Sequence, residues 1–183
     1  MESFEEWEQK RLARRGRVLA FLDGTGVAYE LVEHPAMHSA ADNALHERDI
    51  HATVFKNLFL RNKDRSRFYL YSLPITKRAD LAALAKGIGE TRFSFGNEEE
   101  LWGRLRIRAG SVSLLNVVDA PGTDVELLID KEIFACERFG VHPNDNTATV
   151  LLEPGDLAKI LDAAGCRYRL VGQDESGGQN SPG

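Results

Sequence analysis

Hydrophobic and polar positions along this chain follow two rhythms, and the change from one to the other marks most of its elements. Over residues 4–22, Phe4, Trp7, Leu12, Val18, Leu19 and Leu22 fall close to one face of a 3.6-residue repeat, while Arg11, Arg14, Arg15 and Arg17 supply much of the polar side. The spacing predicts a helix, ended at Asp23-Gly24 by a glycine free to take a left-handed cap. Residues 27–32 read as a short strand broken by His34-Pro35, after which Ser39 is placed to cap a helix reaching His46. Residues 53–60 carry apolar side chains on both faces, as a central strand does. The polar stretch Arg61-Asn62-Lys63-Asp64-Arg65-Ser66-Arg67 then turns the chain back into a second strand over 68–73, forming a hairpin that Pro74 stops.

The remainder alternates helix and strand. Residues 79–86 predict a helix ended by Gly87, and Phe93 and Phe95 lie in a short extended piece. Asn97 caps a helix to about Arg104, with Glu98, Glu99 and Glu100 in the first turn, where the helix dipole favours acids. Strands are expected over 125–129, 139–142 and 147–152. Pro154 opens a last helix over 156–164 that Gly165 ends, and 168–171 add an edge strand. The interspersion, with at least one hairpin and no internal repeat, predicts an α+β fold: a single domain with a mixed, mostly antiparallel central sheet flanked by helices. The domain is expected to span residues 1–171, and the Gly/Ser/Gln-rich stretch 172–183 is expected to be a disordered tail.

Composition narrows the classes. The 183 residues are 43% hydrophobic and 28% charged, ordinary for one globular domain with a real core. No apolar run approaches the roughly 18–20 residues of a membrane span, and the acidic, aromatic start is unlike a secretory signal, so a cytoplasmic protein is expected. Cys136 and Cys166 form no CxxC pair and are expected to be reduced, packed thiols. A formal net charge of −5 argues against a broad nucleic-acid footprint and leaves room only for a local, salt-sensitive patch.

Three features carry candidate chemistry. Lys56, within Val54-Phe55-Lys56-Asn57-Leu58-Phe59-Leu60, puts an ammonium in an apolar strand, where it either faces a cleft or pairs with a buried carboxylate. Asn57 follows on the opposite face, so the strand reads as lining a pocket. Gly110, Ser111, Val112, Ser113 and Leu114 form a glycine-led loop, either an ordinary turn or a backbone cradle for an anion or carbonyl oxygen. His142, between a strand and the turn Pro143-Asn144-Asp145-Asn146, is either structural or able to hold a water or accept from an ammonium. Arg61, Lys63, Arg65 and Arg67 make the hairpin tip basic, either a soluble tip or an RNA contact, and the helix arginines carry the same two readings. There is no G-x-S-x-G elbow, and Gly24-Thr25-Gly26 and Gly87-Ile88-Gly89 lack the rest of a nucleotide-binding fingerprint. Pro35 between His34 and His38 argues against a zinc-binding helix face, and His46 and His51 have no ligand pattern around them, so no metal is expected.

Taken in order, His34-Pro35, Phe55-Lys56-Asn57-Leu58-Phe59-Leu60, residues 81–95 leading into Glu98-Glu99-Glu100-Leu101, the loop at Gly110, Ile129-Asp130-Lys131 and His142-Pro143-Asn144 leading to Thr147-Ala148-Thr149-Val150 resemble the YbaK/prolyl-tRNA-editing family over roughly residues 15–165. The resemblance implies a free-standing, cofactor-independent hydrolase that removes a wrong amino acid from tRNA. The lysine-asparagine pair with the histidine-proline turn is most similar to the alanine-clearing branch acting on proline tRNA, with prolyl-tRNA synthetase as an associated partner. It implies that Lys56 engages the terminal phosphate or the ester carbonyl, and that Asn57 shapes the site. The 110–114 backbone would hold the 3′ adenosine or the oxyanion, His142 the α-amino group or the water, and His34 would also touch substrate. The absence of an obvious general base fits a reaction assisted by the tRNA's own ribose hydroxyl. One departure is Leu114, where the family loop, G-x-x-x-P, often has proline. The same chemistry on cysteine or serine, a small-molecule hydrolase, and a silent nucleic-acid-binding module are the alternatives.

Overall fold

A computed structural model of the chain describes residues 3–36 and 50–172. The helix expected between Ser39 and His46, His38, and the tail from residue 173 lie outside those residues. Among the described residues the strands are β1 (Glu30–Glu33), β2 (Thr53–Asn62), β3 (Phe68–Pro74), β4 (Phe93–Phe95), β5 (Glu126–Asp130), β6 (Phe139–Val141), β7 (Ala148–Leu152) and β8 (Tyr168–Val171). The helices are α1 (Phe4–Gln9), α2 (Arg11–Thr25), α3 (Leu81–Ile88), α4 (Glu98–Leu105) and α5 (Leu157–Ala164), with 3-10 turns at Leu114–Val118, Lys131–Ala135 and Pro154–Asp156. The strands form one mixed sheet in the order β1-β7-β6-β2-β3-β5-β8, with β4 added on β2. Pairings β1/β7, β6/β7, β2/β3 and β2/β4 are antiparallel, whereas β2/β6, β3/β5 and β5/β8 are parallel. The expected α+β architecture is the one observed.

Strand side chains alternate between two cores because successive residues point to opposite faces. Phe55, Phe59, Phe68, Leu70, Leu127 and Ile129 face the larger core, which also takes Val18 and Leu22 of α2, Leu101 and Leu105 of α4, and Ile160 and Leu161 of α5. Leu60, Tyr69, Tyr71, Leu73 and Leu128 face a smaller one, closed by Leu84 and Ala85 of α3 and by Phe93. A strand buried on both sides must be apolar at nearly every position, which is why β2 reads as it does.

The differences from expectation lie at boundaries. The 4–22 helix is two helices, because the chain bends at Lys10, which ends α1 and starts α2. Gly24 lies inside α2, and the left-handed cap falls on Gly26, at φ 67°. Likewise Gly87 is inside α3, where Asp80 caps the start with its side chain and Gly89, at φ 82°, ends it. β2 runs two residues further than expected, so Arg61 and Asn62 belong to the strand. The turn that follows is held by Asn62, whose Oδ1 accepts from the N–H groups of Ser66 and Arg67.

β2 keeps β3 along almost its whole length on one edge but shares the other. There β6 meets it at Thr53 and Val54, and β4 meets it at Leu60, Arg61 and Asn62. Between the two, Lys56, Asn57 and Leu58 pair with no described strand on that side, and all three are half-buried. The β4 end of this gap is tight. Gly96 donates its N–H to the Phe59 carbonyl at 2.9 Å, and a Cβ on Gly96 would lie 2.3 Å from two atoms of the Phe59 ring. That ring is buried and stacked on Phe68 at 5.8 Å between centroids, so it has nowhere to go.

Two predictions follow from this packing. Gly96→Ala is expected to lower unfolding stability by about 1–3 kcal/mol through overpacking, read as a shift in the urea midpoint without change in slope. Burial pushes the Cys136 and Cys166 thiols above their ordinary range. Both are therefore protonated at neutral pH, and iodoacetamide is expected to label the native protein far more slowly than the urea-unfolded chain.

Candidate active site at the break in the sheet

The gap along β2 opens into a cavity of about 410 Å³, within the usual range for small-ligand sites. Its floor is residues 54–59. Its walls include Ile75, Phe95, Gly96, Asn97, Glu98, Ala109, Gly110, Val112, Gly140 and His142. Lys56 and Asn57 point to opposite faces, yet both reach the cavity, because the sheet has no neighbouring strand there to separate its two sides.

Lys56 lies on the α3 side, and its Nζ donates to the Ile75 carbonyl at 3.1 Å. No carboxylate among the described residues pairs with it, so of the two sequence readings the structure favours the cleft. Asn57 lies on the other side and acts as a pin. Its Nδ2 donates to the Val112 carbonyl at 3.3 Å, and its Oδ1 accepts from the Ser72 hydroxyl at 2.6 Å. The central strand is thereby tied to the glycine-led loop.

Within that loop Gly110, at φ 87°, and Val112 line the cavity, whereas Ser111, Ser113 and Leu114 are buried away from it. The N–H of Ser111 is taken by the Arg108 carbonyl and that of Ser113 by Asn116 Oδ1. A continuous cradle of amides from 110 to 114 is therefore not what the loop offers. Val112 is the inner residue that both reaches the cavity and keeps its N–H clear of protein acceptors among the described residues. Leu114, in the position where proline was expected, starts a 3-10 turn that Ser113 caps, and its side chain fills the larger core.

His142 is held from beneath. Ser113 Oγ donates to its carbonyl at 2.5 Å. Asn116 Nδ2 donates to Asn144 Oδ1 at 2.6 Å, and Asn144 Nδ2 donates to Asp119 Oδ2 at 2.6 Å. Asn144 sits at φ 58°, a left-handed conformation that asparagine tolerates better than most residues. Next to it the buried Asp145 accepts from Arg11 and lies 3.7 Å from Arg15, while Arg17 pairs with Asp119 at 2.5 Å. Arg11, Arg15 and Arg17 of α2 thus anchor the histidine turn. Arg14 is buried, with its guanidinium 3.7 Å from the centre of the Trp7 ring. Arg17 alone of the four stays exposed, while Arg11 and Arg15 are half-buried.

His34 does not line the cavity, but its ring centre is 6.1 Å from that of His142. Its Nδ1 lies 2.8 Å from the Pro35 carbonyl and its Nε2 3.0 Å from Thr149 Oγ1. A carbonyl only accepts, so Nδ1 carries the proton and Nε2 accepts from the threonine in the neutral ring. The hairpin arginines divide. Arg61 is paired with Glu100 at 2.6 Å, and Arg67 reaches Glu90 at 3.5 Å. Lys63 and Arg65 stay exposed at the tip, about 20 Å along the strand from Asn57 at 3.3 Å per residue.

Sequence reasoning missed the support for His142: Asn116, Asp119 and the α2 arginines. Their signal is the dense run of short polar residues after His142, which needs buried partners from elsewhere in the chain.

A family model for the aminoacyl-tRNA editing domain matches residues 34–160. The chain belongs to that family. The prolyl-tRNA editing protein ProX of Acetoanaerobium sticklandii is 33% identical over 154 residues, covering 84% of this chain and 94% of that protein. The prolyl-tRNA synthetase associated domain-containing protein 1 of Mus musculus is 26% identical over 148 residues, covering 79% of this chain and 87% of that protein. Among solved structures, a candidate trans-editing enzyme for prolyl-tRNA synthetase superposes with a TM-score of 0.64 at 18% identity, covering 88% of this chain and 98% of that one. At that identity the likeness shows the fold.

Removing the Asp145 carboxylate takes the buried counter-charge from Arg11 and leaves Arg15 with Glu33, at 2.7 Å, as its acidic partner. Asp145→Ala is expected to cost about 3 kcal/mol in equilibrium unfolding.

Proposed function

We propose that this protein is a trans-editing deacylase, hydrolysing the ester between a small wrong amino acid and the end of tRNA, with alanyl-tRNA(Pro) as its substrate. The observation that carries this reading is Lys56 on the bare edge of β2, sharing one cavity with Asn57, Val112 and His142, in a chain of the aminoacyl-tRNA editing family. Ester hydrolysis needs a water placed on the carbonyl, donors where the oxyanion develops, and a route for the proton to the departing ribose oxygen. Lys56 Nζ supplies a cation for the terminal phosphate or the carbonyl oxygen. Val112 N–H is the backbone donor within reach, aligned by Asn57. His142 receives the α-amino group or holds the water, and the neighbouring ribose hydroxyl carries the proton.

The proposal extends to substrate size. A synthetase pocket built for proline rejects the smaller alanine poorly, since missing methylenes are worth only about 1–3 kcal/mol each. On this reading the second sieve is the part of the cavity lined by Val54, Phe55, Ile75 and Val141, which would take a methyl side chain in preference to a pyrrolidine ring. Action on cysteine or serine would use the same geometry. Aminoacylated tRNA is the partner, with prolyl-tRNA synthetase as the source of the error.

Purified protein is expected to deacylate alanyl-tRNA(Pro) and to spare prolyl-tRNA(Pro), with EDTA making no difference. Lys56→Ala is expected to reduce the rate at least 100-fold and to move the melting temperature by no more than a few degrees, because the side chain is half-buried and leaves only one carbonyl without its donor. Loss of the fold in that variant, or retained activity, would remove Lys56 from the mechanism. No turnover on any charged tRNA would favour a silent binding module.

A further inference from the structure

Phe95 is 60% exposed, whereas the other phenylalanines of the cavity, Phe55 and Phe59, are buried at 5% and 7%. It stands on β4 directly across from Leu60, so the two share a face of the sheet. Leu60 shares that face with Leu58 and Lys56, two and four residues away. Phe95 and Lys56 therefore stand on the same side of the strand, at the two ends of one cavity, separated by about 13 Å of strand at 3.3 Å per residue. Phe93, on the same face of β4, is buried in the smaller core and braces the three-residue strand, while Gly96 pins its end to Phe59. The aromatic ring is thus exposed on a fixed backbone. Gly110, at another part of the lining, has nothing within 4 Å of where a Cβ would stand, so the space near it is open to a flat group.

We propose that Phe95 is a stacking platform for the terminal base of the tRNA, a purine whose ribose carries the ester that Lys56 engages. This rests on the deacylase reading above and adds the site that seats the nucleoside. A lysine stem and one nucleoside together span the distance between the two residues, so a base on Phe95 sets the ester within reach of the ammonium. A platform of this kind holds any flat base by its π-face, and the hydrophobic exposure of Phe95 in the free protein is relieved when the base arrives.

The test is equilibrium binding of a minihelix carrying alanine on its 3′ end through a non-hydrolysable amide, made with the terminal adenine and again with an abasic terminal nucleotide. Phe95→Ala is expected to weaken binding of the adenine form about tenfold or more and to leave the abasic form unchanged, with Phe95→Trp restoring the wild-type affinity. Equal loss on both forms, no loss on either, or no binding by the wild-type protein would overturn the platform. Deacylation of alanyl-tRNA(Pro) by the wild-type protein is measured beside it. Turnover without dependence on Phe95 sinks the platform and leaves the deacylase reading. A base-dependent loss without turnover sinks the deacylase reading and leaves the platform.

Discussion

An interior strand ordinarily satisfies its backbone on both edges, and the cost of leaving buried N–H and C=O groups unmade keeps such ladders continuous. β2 departs from this between Val54 and Leu60. β6 and β4 each take one end of the same edge, and neither reaches Lys56, Asn57 or Leu58. The rest of the site depends on this interruption. It opens the cavity, it lets side chains from both faces of the sheet meet there, and it places a cation in a strand that is otherwise among the most apolar parts of the chain. The strand tolerates the break because β3 holds its other edge from Phe55 to Arg61 and because Phe55 and Phe59 anchor it in the larger core.

The walls of the cavity are held by a second device, a buried polar network. Ser113, Asn116, Asn144 and Asp145 are each almost wholly buried, and each is hydrogen-bonded. In such surroundings a satisfied network rigidifies, and one missing partner is costly. The network joins the 110–114 loop to the His142 turn, while Asn57 joins the same loop to β2. Lys56, Val112 and His142 come from three distant parts of the sequence, and these few amide and hydroxyl contacts set their mutual positions.

Much of the architecture was legible from periodicity. Runs such as 53–60 and 148–152 are apolar on both faces, as interior strands are, and the side-chain cap at Asn97 marks a helix start locally. The glycine boundaries were less legible. Gly24 and Gly87 each precede a second glycine two residues on, and which of the two takes the left-handed cap depends on packing of the last turn. Lys56 stood out because a charge in an apolar strand demands a reason. The loop was only half legible: its glycine was recognised, but which amides face a ligand depends on Asn116, six residues beyond that glycine. The α2 arginines looked like a polar helix face because their partners, Asp119 and Asp145, lie more than a hundred residues away.

The arginine contacts also bear on what counts as the domain. The segment matched by the family model begins at residue 34, after α2 has ended, yet Arg11 and Arg15 supply the counter-charge for Asp145 and Arg17 that for Asp119. In this protein the segment that the family model matches therefore draws buried ion pairs from outside its own bounds. Its histidine turn is completed by a helix outside it, so a graft of residues 34–160 into another protein would need a host surface offering guanidinium groups in the same places. Modularity here ends at a charge requirement and not at a chain boundary.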